Sequence, residues 1–215
     1  QSMTKSETVR EQCRQLRLHA LADGMEDAVT EAERDQVTYV ELLGRLFKNE
    51  IDHRAQKERE RRKRYAALPL GHDLDGYDLA GENSIGKQQL AQLRELKWME
   101  RNYNLILMGP SGTGKTYLGA GLCSDAVEQG YRAYFQTMES LARVLKMKDI
   151  TRKEAVLYKR ICKAHLLVID DIMMFPVTKE QAVAFFNLIN HLHDRASLII
   201  TTNKSPKQWA EVLND

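Results

Sequence analysis

The 215-residue sequence predicts an α/β fold, a parallel sheet with helices on both faces, behind a small all-helical N-terminal region. Three observations lead there. Apolar runs of strand length at 104–108, 132–136, 166–169 and 198–202 alternate with helical stretches. A glycine-rich loop follows the first run and opens a helix. The first 67 residues carry helical periodicity and helix-capping pairs.

The N-terminal region begins with a capping pair, Thr4 and Glu7, followed by Val9, Cys13, Leu16 and Ala20 at helical intervals. A second pair, Thr38 and Glu41, opens a longer helix. Val40, Leu43, Phe47 and Ile51 form its apolar face, so its first half is expected to pack through them. Its second half changes character. Arg54, Lys57, Arg59, Arg61, Arg62, Lys63 and Arg64 stand against only Glu58 and Glu60, which excludes this part from the core. Pro69, Gly71, Gly76 and Gly81 mark a connection over 68–83, and a helix over about 84–101 follows. The expected domains are therefore 1–67, helical, and 84–215, α/β.

In the second domain, Asn104 to Met108 reads as a buried strand and the helix after the loop ends near Gly130. Thr137 caps the next helix, Thr151 and Glu154 another, and Thr178 and Gln181 the one that runs to His193. Ser205-Pro206 starts a last helix, with Pro at its first position.

Composition is that of an ordinary globular chain, with 29% charged and 43% apolar residues. A net charge of +2 means that any polyanion partner must be read from a local patch. Cys13, Cys123 and Cys162 lie far apart without a CxxC pair and read as free thiols. His191 and His193 point to different faces of a helix, which argues against a shared metal. No run has the length of a membrane span. Gln1-Ser2 reads as a cloning remnant before a native Met3.

The strongest chemical signal is Gly109-Pro110-Ser111-Gly112-Thr113-Gly114-Lys115-Thr116, a complete GxxxxGK[ST], with Tyr117 behind it. Its glycines let backbone N–H groups curl around phosphates at a helix N-terminus. Lys115 is expected to reach the β- and γ-phosphates of ATP, and Thr116 to ligate Mg²⁺. About 55 residues on, the apolar run Leu166-Leu-Val-Ile ends in Asp170-Asp171. In open α/β sheets such strand ends face the ligand. Asp170 fits a holder of Mg²⁺ through water, and Asp171 a group that orients or deprotonates the attacking water. Asn203, after the fourth strand, points at the γ-phosphate if that strand lies beside the P-loop strand. Otherwise it is a turn residue before Ser-Pro. In the basic run, Arg54, Lys57, Arg61 and Arg64 share one helical face and can track a phosphate backbone. The plainer reading is a solvated helix, since Glu58 and Glu60 interleave.

Taken together, the P-loop, Asp170-Asp171 and Asn203 behind a helical domain resemble the AAA+ ATPases. Within them the chain resembles the IstB subfamily, helper ATPases of IS21-type transposons, with DnaC-type helicase loaders as near relatives. Asn104-Leu-Ile-Leu-Met-Gly-Pro-Ser-Gly-Thr-Gly-Lys-Thr, Leu-Leu-Val-Ile-Asp-Asp, Leu-Ile-Ile-Thr-Thr-Asn and Leu16-Arg-Leu-His-Ala-Leu-Ala-Asp-Gly-Met25 carry the likeness. It implies a bacterial cytoplasmic protein that self-assembles on double-stranded DNA when ATP is bound, with little sequence preference, and hands that DNA to a transposase. It also raises the standing of Arg54 to Arg64 as a DNA contact. Asp171 stands where most AAA+ proteins have Glu. The family's fifth strand, arginine finger and helical lid are expected beyond Asp215, so the chain reads as truncated.

Three other readings stay open. A helicase loader has the same chemistry and a protein partner, but the basic helix tilts the balance toward DNA. A small-molecule P-loop kinase needs an acceptor pocket and an Arg-rich lid, which the sequence does not offer. An ATP-gated DNA clamp would need little hydrolysis.

Overall fold

The computed structural model describes residues 3–77, 85–172 and 178–204. The chain divides into two compact units, Gln1–Glu60 and Arg61–Asp215.

In the first unit, α1 (Lys5–Gln15) starts with the complete capping box of Thr4 and Glu7. Arg17, at φ +59°, then turns the chain, so the expected run through Ala20 is split and α2 (His19–Asp35) begins afresh. Leu18 at the N-cap of α2 has no side chain that can cap it. The missing acceptor comes from α3 (Tyr39–Ala66): Glu50 Oε2 accepts the Leu21 N–H at 3.0 Å. This contact decides which side of α3 faces inward. Leu46 and Glu50 are buried, packed with Cys13, Leu21, Ala22 and Met25. The apolar stripe expected to pack is left outside, with Val40 78% and Ile51 65% exposed. A buried carboxylate, invisible to an apolar-periodicity argument, has overridden the stripe.

In the second unit, β1 (Leu105–Met108), β2 (Ala133–Thr137), β3 (Leu166–Asp170) and β4 (Ser197–Thr202) form a parallel sheet in the order β1-β4-β3-β2. The sheet separates two cores. Leu166 and Val168 of β3 pack on the side of α6 (Lys115–Glu128), together with Leu118, Leu122 and Ala126. Leu167 and Ile169 pack on the opposite side. There they meet Leu141 of α7 (Met138–Met147), Ile161 of α8 (Arg152–Ile161) and Leu188 of α9 (Lys179–Leu192). The Thr137, Thr151 and Thr178 caps form as expected. The helix expected over 84–101 is two helices, α4 (Lys87–Arg94) and α5 (Lys97–Glu100), because Leu96 adopts φ +58° and buries its side chain. The stretch expected as a plain connection packs on α6 over its described part. Leu74, in a 3-10 turn (Leu74–Gly76), lies so close to Gly121 that a Cβ there would come within 2.2 Å of it. The helix expected from Ser205 lies outside the described residues.

Candidate nucleotide-binding site

The P-loop joins β1 to α6. Gly112 and Gly114 hold φ of +82° and +81°, a backbone region that only glycine adopts cheaply. Gly114 caps α6 without a side chain, and the first turn of α6 holds no acidic residue. Its leading N–H groups are therefore open to an anion, and the helix dipole favours one. Lys115 Nζ donates to the Pro110 carbonyl at 2.6 Å and lies 3.4 Å from Thr113 Oγ1, folding the ammonium back over its own loop.

Asp170, at the end of β3, is 4% exposed. Its Oδ1 accepts the Thr116 hydroxyl at 2.9 Å and the Thr201 hydroxyl at 2.6 Å. Among the described residues, no basic side chain pairs with it. Burying a carboxylate with hydroxyl donors alone is costly, so the site suits a hard cation. Thr116 would supply an oxygen to Mg²⁺, and Asp170 would hold the ion through water. Among the described residues, no group of three His, Cys, Asp or Glu could hold a metal, so phosphate and water would complete the shell.

Asp171 sits at φ +54°, which turns the chain away from β3. Its N–H donates to Thr201 Oγ1 at 2.9 Å, and the Ile172 N–H to the Thr201 carbonyl at 3.2 Å. Burial raises the Asp171 pKa from its ordinary value, the Asp170 charge adds to this, and Lys115 opposes it. Thr201, fully buried, thus serves both aspartates with one hydroxyl, donating to Asp170 and accepting from Asp171. The sequence reading missed it. Its signal is a polar residue inside an otherwise apolar buried strand.

Because β4 lies between β1 and β3, the condition set for Asn203 is met. Thr202 pairs with Met108, the Gly109 N–H donates to the Thr202 carbonyl at 3.3 Å, and Asn203 follows, exposed at that edge. Tyr117 turns elsewhere. Its hydroxyl donates to the Asp73 carbonyl and its ring lies 5.8 Å from that of Tyr77, tying the 68–77 stretch to α6. Tyr77 also lines a cavity of about 290 Å³ beside the loop, with Gln89, Leu93, Met108, Thr113 and Lys115.

The basic run is not uniform. Arg54 donates to Glu50 at 2.8 Å and to the Arg17 carbonyl at 2.8 Å, so it holds α3 in place. Lys63 pairs with Glu128 at 2.5 Å, and Arg62 donates to the Val127 carbonyl at 3.5 Å. Lys57, Arg59, Arg61 and Arg64 are exposed.

Comparison with known proteins agrees with this geometry. The family described as "IstB-like ATP binding protein" matches residues 11–215. A Bacteroides fragilis protein named for an IS21-like insertion sequence and for ATP binding is 44% identical over 95% of this chain and 78% of its own length. A Pseudomonas aeruginosa protein named for IS21 and ATP binding is 32% identical over 93% of this chain and 76% of its own. Among solved structures, the DnaC helicase loader superposes with a TM-score of 0.54 at 23% identity, covering 71% of this chain and 88% of the loader. DnaI gives 0.55 at 22% identity, over 67% of this chain and 80% of its own. These likenesses show the fold alone, a parallel sheet with helices on both faces. No helix among the described residues is long and apolar enough to cross a membrane.

Proposed function

Because this chain belongs to the IstB-like ATP-binding family, we propose that it is a Mg²⁺-dependent ATP hydrolase of an insertion sequence. With ATP bound it assembles on duplex DNA, with little sequence preference, and delivers that DNA to the transposase. The observation that carries the hydrolase half is the shared use of Thr116, Asp170, Asp171 and Thr201 at the P-loop's edge of the sheet. Gly109–Thr116 cradle the phosphates through backbone N–H groups, and Lys115 neutralises them. Thr116 and Asp170 would hold Mg²⁺, which when bound withdraws charge from the phosphate oxygens. Asp171 takes the proton of the attacking water, and Asn203 orients that water. The cavity beside Tyr77 has room for the nucleoside.

The DNA half is supported by α3. Lys57, Arg59, Arg61, Arg62 and Arg64 lie along one helix and are suited to phosphates rather than base edges. Arg54 and Lys63 are poorer DNA contacts, since they pair with Glu50 and Glu128.

The deciding measurement is binding to a random-sequence duplex with ATP, with ADP and without nucleotide, over a range of salt. Tight, salt-sensitive binding with ATP alone is expected. No duplex binding in any state rejects the DNA half and favours a protein client, as for a helicase loader. The hydrolase half has its own check: Asp171→Asn should keep ATP binding and lower turnover by about 10²- to 10⁴-fold. Normal turnover in that variant removes Asp171 from the mechanism.

A further inference from the structure

The second unit carries a cationic group that the nucleotide chemistry does not use. The Arg160 guanidinium lies over the Tyr65 ring, 3.6 Å from its centroid, and Arg64 lies 5.7 Å from the same centroid. Tyr65 is at the end of α3 and Arg160 at the end of α8, so two elements distant in sequence meet on one ring. Arg132, just before β2, donates through Nε to the Lys163 carbonyl at 2.7 Å, which fixes its guanidinium. Burial raises the pKa of the Tyr134 hydroxyl, and Arg160 and Arg132 both act to lower it, so both guanidinium groups lie near that ring.

The contacts that hold Arg64, Arg132 and Arg160 are with a ring and a carbonyl, not with an opposite charge. Elsewhere in the second unit, cations are matched: Lys63 with Glu128, and Arg94 with Asp75 and Asp125. Among the described residues, no carboxylate pairs with Arg64, Arg132 or Arg160. Stacking also selects what such a group can bind. A guanidinium laid on a ring has its face covered and its N–H donors directed outward in the plane, which suits the paired oxygens of a phosphate.

We propose that Arg160 stacked on Tyr65, with Arg64 and Arg132, is a phosphate-binding surface by which the ATPase unit itself grips the DNA backbone, together with the α3 residues of that same unit. The inference rests on the DNA half of the proposed function. It adds residues of α8 and of the turn before β2 to a surface that the sequence assigns to α3 alone. The surface reads backbone, not sequence.

The test is fluorescence anisotropy of the full chain on a labelled random-sequence duplex with saturating ATP, over a salt series. The double variant Arg64→Gln, Arg160→Gln should bind at least about tenfold more weakly. It should also flatten the plot of log K against log salt by about 0.9 for each phosphate it no longer neutralises. Arg160→Lys should keep the slope and lose part of the affinity, because it retains charge without the flat stack. Thermal unfolding and ATP affinity should not change. If wild type binds and the double variant matches it in affinity and slope, the surface is refuted while the DNA reading stands. Weaker binding with an unchanged slope also overturns it, since that is the mark of a structural defect. Wild type that binds no duplex in any nucleotide state overturns the DNA reading, and this surface with it.

Discussion

Two buried carboxylates, one in each unit, are equally hidden and differently partnered. Asp170 and Glu50 are each 4% exposed. Glu50 accepts a backbone N–H from Leu21 and pairs with Arg54, and despite burial these partners hold its pKa below the ordinary glutamate value. Asp170 has two hydroxyl donors and, among the described residues, no cation. A buried acid whose charge is already met joins helices. A buried acid whose charge is not met marks a place where a cation is to arrive.

Replacing each acid separates the two roles. Asp170→Asn should lower ATP turnover by at least about 100-fold through a weaker hold on Mg²⁺, with little change in unfolding free energy. A loss of stability there would make Asp170 a scaffold residue too. Glu50→Ala should do the opposite. Losing hydrogen bonds to a buried charge should cost the N-terminal unit about 2–3 kcal/mol and leave ATP affinity alone. A urea titration followed by a probe in that unit gives the answer, and an unchanged midpoint would remove Glu50 as the contact that sets α3.

Smaller effects refine the picture on each side. Thr201→Val keeps the volume and removes the hydroxyl that serves both aspartates. Turnover should fall about tenfold with ATP affinity retained, the value of one well-made hydrogen bond. Thr201→Ser should restore it; failure of rescue would assign the loss to packing. Smallest is Gly44→Ala on the exposed side of α3, where an added Cβ meets nothing within 4 Å. Helix propensity alone predicts a gain of about 1 kcal/mol. A loss in the isolated chain would show that this face is already covered in solution.

The phosphate loop was legible because its chemistry is written into the backbone. Glycines at 112 and 114 are needed for positive φ, and a lysine and a threonine follow at fixed spacing. Asp170 and Asp171 were legible as the polar end of an apolar strand. The caps at Thr4, Thr137, Thr151 and Thr178 were legible because a cap is a contact over three residues. Thr201 was not, since its role needs β4 beside β3, a pairing across 31 positions. Nor was the exposure of Val40 and Ile51, which follows from Glu50 reaching Leu21 across 29 positions.

By itself, then, the sequence determined the α/β class, the phosphate loop and the acids that follow it, because each depends on neighbours within a few residues. Only the tertiary structure decided that Thr201 links both aspartates, that α3 turns its apolar stripe outward, and that Tyr65 gathers arginines from two helices. Those outcomes depend on which distant side chains share a buried space, and local sequence carries no record of that.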